Sequence, residues 1–301
     1  MKKIVEFQSY GEKIEALLLT PDGAVGPLPA VVMAGGWCYV KELIQPQYAS
    51  YFVEAGFAVL IFDYRRMGAS TGSPRQHINP YDQQEDYKSA VSYMESLDEV
   101  DSERIGIWGI SYSGGHVLVV GATDTRVKCI VSNIPVVDGL FTMKVAHGAL
   151  AFRELAAAII DDRREQISSG RFGIIPMSSD PREGLSTWPF PEVEPVFNQL
   201  KLQSAPNHEH FNTVASVDLL LTYTVFPYLQ RIVNTPTLMI VAEGDDITMW
   251  DKEIEAFNLI STTKKSLFVV GETSHMTLYS DMSRLEIAAR AATEWFEKHL
   301  K

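Results

Sequence analysis

The sequence predicts an α/β protein built on a mostly parallel sheet, with helices on both faces and a mainly helical insertion. Two observations give the sheet: short continuous apolar runs recur along the chain, and segments with helical spacing separate them. A third gives the insertion: the alternation stops near residue 136 and resumes near residue 234.

Residues 4–9 and 13–20 read as two strands joined at Tyr10-Gly11-Glu12, and Pro21-Asp22-Gly23 ends the second. Residues 30–33 form a short apolar run that stops at Gly35-Gly36, as suits a strand buried on both faces. Residues 48–55 read as a helix closed by Gly56, a residue type favoured just past a helix end. Residues 57–64 (FAVLIFDY) are the next buried strand. Residues 81–97 place Tyr87, Val91 and Met94 at helical spacing among charges. Strand 104–108, helix 113–121 and strand 127–132 complete the first block.

Residues 136–233 break the pattern. They hold a helical stretch at 150–167 and a turn-rich stretch at 170–195, with no clear buried strand. Strand 237–242, helix 250–260, strand 267–270 and a C-terminal helix over 283–300 follow. The expected division is a core of residues 1–135 and 234–301 with a lid of residues 136–233. Long segments between regular elements are commonly functional.

Composition narrows the function classes. Of 301 residues, 46% are apolar and 21% charged, the balance of a globular protein. Lys and Arg number 26 against 38 Asp and Glu, a net charge of −12. A chain this acidic, without a basic block, is a poor ligand for nucleic acid or anionic membranes. The two cysteines, Cys38 and Cys129, make no disulfide framework and no zinc-ligand spacing, and are expected reduced in the core. The opening MKKIVEFQSY lacks the apolar stretch of a signal peptide, and no apolar run approaches the roughly 18 residues of a membrane span. A cytoplasmic protein is expected. The sequence carries no signal for an oligomeric state.

The sharpest motif is IGIWGISYSGG, residues 105–115. A strand runs into Gly109-Ile110-Ser111-Tyr112-Ser113 and then a helix, the context of a G-x-S-x-G nucleophile elbow. The turn is so tight that the serine hydroxyl stands clear of the chain, and the residues two positions either side must be small. The following helix aims its N-terminal N–H groups at developing negative charge. Ser113 stands where the pattern has its second Gly and is small enough for that packing.

A serine nucleophile needs a base, and the base needs an orienting acid. Elbow hydrolases carry them in the order Ser, Asp or Glu, His. Asp245 follows strand 237–242 within VAEGDD, three residues after the strand-ending Ala242, with Asp246 as competitor. His275 follows strand 267–270 within VVGETSHM and is the only histidine after a late strand. His116 falls within the helix after the elbow and reads as packing. His77, His147, His208 and His210 fall in loops or the lid. The oxyanion donors are expected to be the N–H of Tyr112, next after the nucleophile, and that of Trp37 in the Gly35-Gly36-Trp37 loop, where glycines permit close approach. Cys38 has no neighbouring base to activate it.

These features resemble the α/β-hydrolase superfamily over nearly the whole chain, and within it the dienelactone-hydrolase-like and polyketide-transferase-like branch. GGWCYVKEL, FDYRRMGASTGSPRQ, GISYSGGHV, VAEGDD and ETSHM carry the resemblance. It implies Ser111 as nucleophile, Asp245 as acid, His275 as base, Trp37 and Tyr112 as oxyanion donors, and a lid before the strand that leads to Asp245. Gly35-Gly36 replaces the family's common His-Gly, so hydrogen bonds that a histidine makes there are absent. The nucleophile is Ser where dienelactone hydrolase typically uses Cys, so its substrate is not implied.

The expected activity is a cofactor-free and metal-free serine hydrolase of small-molecule carboxylic esters or lactones. An acyltransferase would share the acyl-enzyme, and a non-catalytic binding protein would keep the fold. The lid segment holds Trp188, Phe190, Phe197, Phe211, Tyr223, Phe226 and Tyr228. These aromatics suit a bulky hydrophobic, polyketide- or macrolide-like substrate, or equally a small core of the lid itself.

Overall fold

The computed structural model describes residues 1–301. In chain order its elements are β1 (Lys2–Ser9), β2 (Glu12–Leu19), β3 (Leu28–Ala34), α1 (Gln45–Glu54), β4 (Ala58–Phe62), α2 (Pro80–Glu95), β5 (Val100–Ile110), α3 (Tyr112–Thr123) and β6 (Cys129–Asn133). There follow α4 (Gly139–Ser169), β7 (Ile174–Pro176), α5 (Val193–Gln203), β8 (Phe211–Thr213), α6 (Val214–Leu221) and α7 (Phe226–Leu229). The chain closes with β9 (Thr237–Ala242), α8 (Trp250–Leu259), β10 (Lys265–Val270), α9 (Thr277–Ser280) and α10 (Met282–Leu300).

Eight strands form one sheet in the order β1-β2-β4-β3-β5-β6-β9-β10. The β1–β2 and β2–β4 pairs are antiparallel, and every other pair is parallel. Every residue of β4, β6 and β9 is buried, as their apolar runs require. Edge strand β1 instead exposes most of its residues. Helices α1 and α10 pack together, as do α2 and α3, so the sheet is covered on both faces. No helix is long and apolar enough to cross a membrane. Cys38 and Cys129 are free and buried.

Pairing direction puts the functional loops at one end. The chain runs from β3 to β4 on one side and then crosses back over β3 to β5 on the other, a switch point of the kind where parallel sheets bind ligands. Ala34 pairs with Gly109, so the loop after β3 lies beside the turn after β5. Ala242 pairs with Val270, so the loops after β9 and β10 are neighbours as well.

The stretch between β6 and β9 departs from the sequence reading in two ways. It contains a short antiparallel pair, β7 with β8, where no clear strand was expected. Three-residue strands are too short to display a period-two pattern. The helix read at 150–167 is the second part of α4, which breaks at Gly148 (φ 63°). Helix α1 starts three residues before its predicted start because Pro46 sits in its first turn, where a missing N–H costs nothing.

A buried ionic knot ties the loop after β3 to the end of β4. The Lys41 ammonium lies 2.8 Å from Glu15, 2.7 Å from Glu42 and 2.9 Å from Asp63. The three carboxylates cluster as metal ligands do, but the lysine supplies the cation. Burial pushes the Asp63 pKa up to about 6, with Lys41 pulling against it. Replacing Lys41 by Met leaves a buried carboxylate without its counter-charge. The expected loss is about 3–5 kcal/mol of stability, read as a lower urea midpoint at unchanged slope.

Candidate active site

The site begins at the strand–helix junction after β5. Ser111 has φ 58° and ψ −121°, a conformation disfavoured for any residue with a Cβ. Three backbone hydrogen bonds hold it there. Its N–H donates to the Asn133 carbonyl at 2.9 Å, and its carbonyl accepts from Val136 at 3.0 Å and Gly115 at 3.3 Å. The small residues of the motif have physical reasons. A Cβ on Gly109 would stand 2.2 Å from the Ser113 carbonyl oxygen. Ser113 is buried, and its hydroxyl meets the phenols of Tyr64 at 3.0 Å and Tyr87 at 2.7 Å. That explains the departure from Gly: the side chain is part of a buried polar network.

The loop after β3 presses against the serine. A Cβ on Gly36 would lie 2.9 Å from Ser111 Cβ and 3.1 Å from the Ile110 carbonyl oxygen. Neither Trp37 N–H nor Tyr112 N–H donates to any acceptor in the protein. Two unengaged amides beside the serine hydroxyl are what an oxyanion hole requires.

His275 and Asp245 meet across the β9 and β10 loops. Nδ1 of His275 lies 2.8 Å from Asp245 Oδ2, and both residues are buried. Asp245 Oδ1 accepts from the amides of Ile247 at 3.0 Å and Thr248 at 2.8 Å. Burial raises the Asp245 pKa, but the imidazole and the Thr248 donors outweigh it and hold the carboxyl below its usual value. Asp246, the sequence competitor, is exposed. A carboxylate at Nδ1 fixes the tautomer with its proton on Nδ1, leaving Nε2 as an acceptor. That acceptor is met by the Tyr279 hydroxyl at 3.5 Å, and no hydrogen bond joins it to Ser111.

Ser111 and His275 open on one tight cavity. Trp37, Tyr39 and Tyr279 wall it from the core, and Met177, Trp188 and Phe197 from the segment between β6 and β9. No carboxylate and no lysine or arginine lines it. Trp188 and Phe197 are therefore in the wall, whereas Tyr223 packs beneath the elbow against Tyr112 and His116. His116 is buried between Tyr223 and Gln83, and burial lowers its pKa to about 3. It is a neutral packing residue, as its helical position suggested.

Several residues that shape the site carry no sequence motif. Asn212 accepts from the Trp37 indole at 2.9 Å. His208 donates to the Cys38 carbonyl at 3.0 Å and meets His210 at 3.3 Å, which in turn meets Ser178 at 2.8 Å. These contacts bind the loop of Trp37 to the inserted segment across 170 to 175 residues of sequence. Thr248 lies 3.3 Å from His275 Nδ1 and donates to Glu253 at 3.1 Å. Burial and the charge of Asp245 keep the Glu253 pKa well above the usual carboxyl value.

The sequence profile of the X-Pro dipeptidyl-peptidase (S15) family matches residues 11–277. The chain belongs to the S15 family. Among relatives of this S15 chain, the quorum-quenching protein AidA of Acinetobacter baumannii is 35% identical over 175 residues, 58% of this chain and 57% of that protein. The acyltransferase drtE of Aspergillus calidoustus is 27% identical over 91% of this chain and 88% of its own length. The structure of DcsB with its substrate analogue superposes with a TM-score of 0.86 at 26% identity, covering 100% of this chain and 99% of that one. The S15 chain thus has the α/β-hydrolase fold and is of a hydrolase family.

Proposed function

We propose that the protein is a serine hydrolase of neutral carboxylic esters or lactones that works through an acyl-enzyme. One observation carries the reading: a serine hydroxyl without a hydrogen-bond partner and an acceptor imidazole nitrogen share a cavity that is otherwise apolar and uncharged. His275 Nε2 takes the Ser111 proton as Oγ attacks the acyl carbon, and Asp245 stabilises the imidazolium. The Trp37 and Tyr112 amides receive the oxyanion, each contributing roughly 2.7–4 kcal/mol by comparison with measured oxyanion donors. His275 returns the proton to the leaving oxygen, and water then repeats the sequence on the acyl-enzyme.

The same wall argues against cleavage of X-Pro dipeptides. A free α-amino group needs a carboxylate, and burying an unpaired ammonium costs several kcal/mol. The cavity offers none. Residues 136–233 act as a lid in this reading, since Met177, Trp188, Val193 and Phe197 close one side. The free space in the cavity is only about 20 Å³, far below the roughly 300–1,000 Å³ of ligand pockets, so a polyketide- or macrolide-sized acid enters only if that side moves. Similarity to an acyltransferase supports a second reading, in which an alcohol or amine replaces water in the second step.

The test is a panel of neutral p-nitrophenyl and alkyl esters, lactones and X-Pro arylamides, each with and without added acceptor alcohol. Turnover of neutral esters or lactones with at least 100-fold lower kcat/KM on the arylamides is expected. Preference for the arylamides would overturn the reading. Acyl products that form only with added acceptor would replace hydrolysis by transfer.

A further inference from the structure

Tyr279 stands where the reaction needs a second donor. It lies in α9, four residues after His275, and the two rings stack with centroids 5.5 Å apart and planes 26° from parallel. Tyr39 and Phe197 pack edge-on or tilted against the phenol ring at 5.9 Å, one from the core and one from the inserted segment. The ring is thus fixed on three sides and 2% exposed. Its hydroxyl has one hydrogen-bond partner, His275 Nε2, at 3.5 Å, long enough to be weak. The Tyr39 and Ser111 hydroxyls also lie close to this phenol, near enough to favour its ionised form, though neither meets hydrogen-bond geometry. Burial raises the phenol pKa, so the O–H stays protonated.

We propose that Tyr279 is a catalytic hydrogen-bond donor to the leaving group, an inference that rests on the acyl-enzyme reading above. At rest the O–H points at the lone pair of Nε2. When His275 takes the Ser111 proton, that lone pair is gone and Nε2 becomes a donor. The phenol is then released from Nε2 beside the atom that Nε2 must next protonate. As the tetrahedral intermediate collapses, the bond from the acyl carbon to the leaving oxygen breaks and the Nε2 proton moves to that oxygen. Tyr279 keeps its own proton and stabilises the negative charge that develops there. A fixed donor serves a poor leaving group most, because an alkoxide carries more charge than a stabilised phenolate.

Tyr279→Phe removes the donor and keeps the ring. Three rates are compared with wild type: an ethyl ester, the p-nitrophenyl ester of the same acid, and labelling of Ser111 by a fluorophosphonate. The ethyl ester is expected to lose about 10- to 100-fold in kcat/KM, and the p-nitrophenyl ester less than about 3-fold. Labelling is expected to be unchanged or faster, because a competitor for Nε2 has gone. Equal loss on both esters, or none, overturns the donor role. Slower labelling overturns it too, since it assigns the damage to the Ser111–His275 pair. Wild-type enzyme that labels but cleaves neither ester would instead strike at the ester-hydrolase reading, and the leaving-group role would fall with it.

Discussion

Ser111→Ala is expected to lower turnover about 10⁶-fold while leaving the protein folded. The magnitude is that of losing a nucleophile whose partners act only through it; about 10³–10⁴ over water can survive from the oxyanion donors and binding. The folding half follows from the site's own bonds. The Ser111 side chain makes no hydrogen bond, whereas its backbone N–H and carbonyl make three. Alanine keeps those and carries the same Cβ in the same strained conformation, so stability should change by less than about 1 kcal/mol. Turnover with thermal melting on one preparation checks both halves. Stoichiometric fluorophosphonate labelling of wild type, mapped to Ser111 and lost in His275→Ala, ties the effect to an activated serine. A folded Ser111→Ala enzyme with wild-type rates would end the nucleophile assignment.

Asp245→Asn is expected to cost about 10⁴-fold in kcat through a tautomer rather than through distortion. Two amides, from Ile247 and Thr248, converge on Oδ1, and His275 Nδ1 meets Oδ2. Asparagine has one oxygen. If it stays on the two amides, the NH₂ faces Nδ1, which must then accept. The imidazole proton moves to Nε2, and the base no longer has a lone pair for Ser111. Asp246→Asn, on an exposed side chain, is the control and should leave kcat unchanged. Parallel kinetics on the two variants, with near-equal melting temperatures, separate the assignments. Equal rates in both variants would remove Asp245 from the mechanism.

The sheet was legible because each parallel strand is an apolar run with helical spacing between runs, and burial on both faces forces that composition. The elbow was legible because a tight strand-to-helix turn demands small residues at fixed offsets, here Gly109 and Ser113. Asp245 and His275 were legible because strand ends carry ligand-facing loops in such sheets. Strands β7 and β8 escaped because three residues display no period. Asn212, His208 and Lys41 escaped for a different reason. Their partners are chosen by tertiary folding, and nothing local in the sequence distinguishes a buried amide that accepts from Trp37 from any other asparagine. Of the aromatics in the inserted segment, Trp188 and Phe197 line the cavity and Tyr223 packs in the main core under the elbow, whereas the segment's own small cluster of Leu155, Ile159, Ile175, Val214 and Val217 contains none of them.

The bonds from His208 and Asn212 to the loop of Trp37 set the terms on which this enzyme can change. A peripheral insertion would be free to drift or to be exchanged between homologues, with new specificities gained at no risk to the chemistry. Here the segment that walls the cavity also scaffolds the loop whose amide is proposed to receive the oxyanion. Grafting a foreign insertion onto this framework would discard that scaffold, and the chimera would inherit a pocket without a competent reaction centre. Changing the wall of the cavity while keeping that scaffold therefore means exchanging single wall residues, such as Met177 or Trp188, and leaving Asn212 and His208 in place.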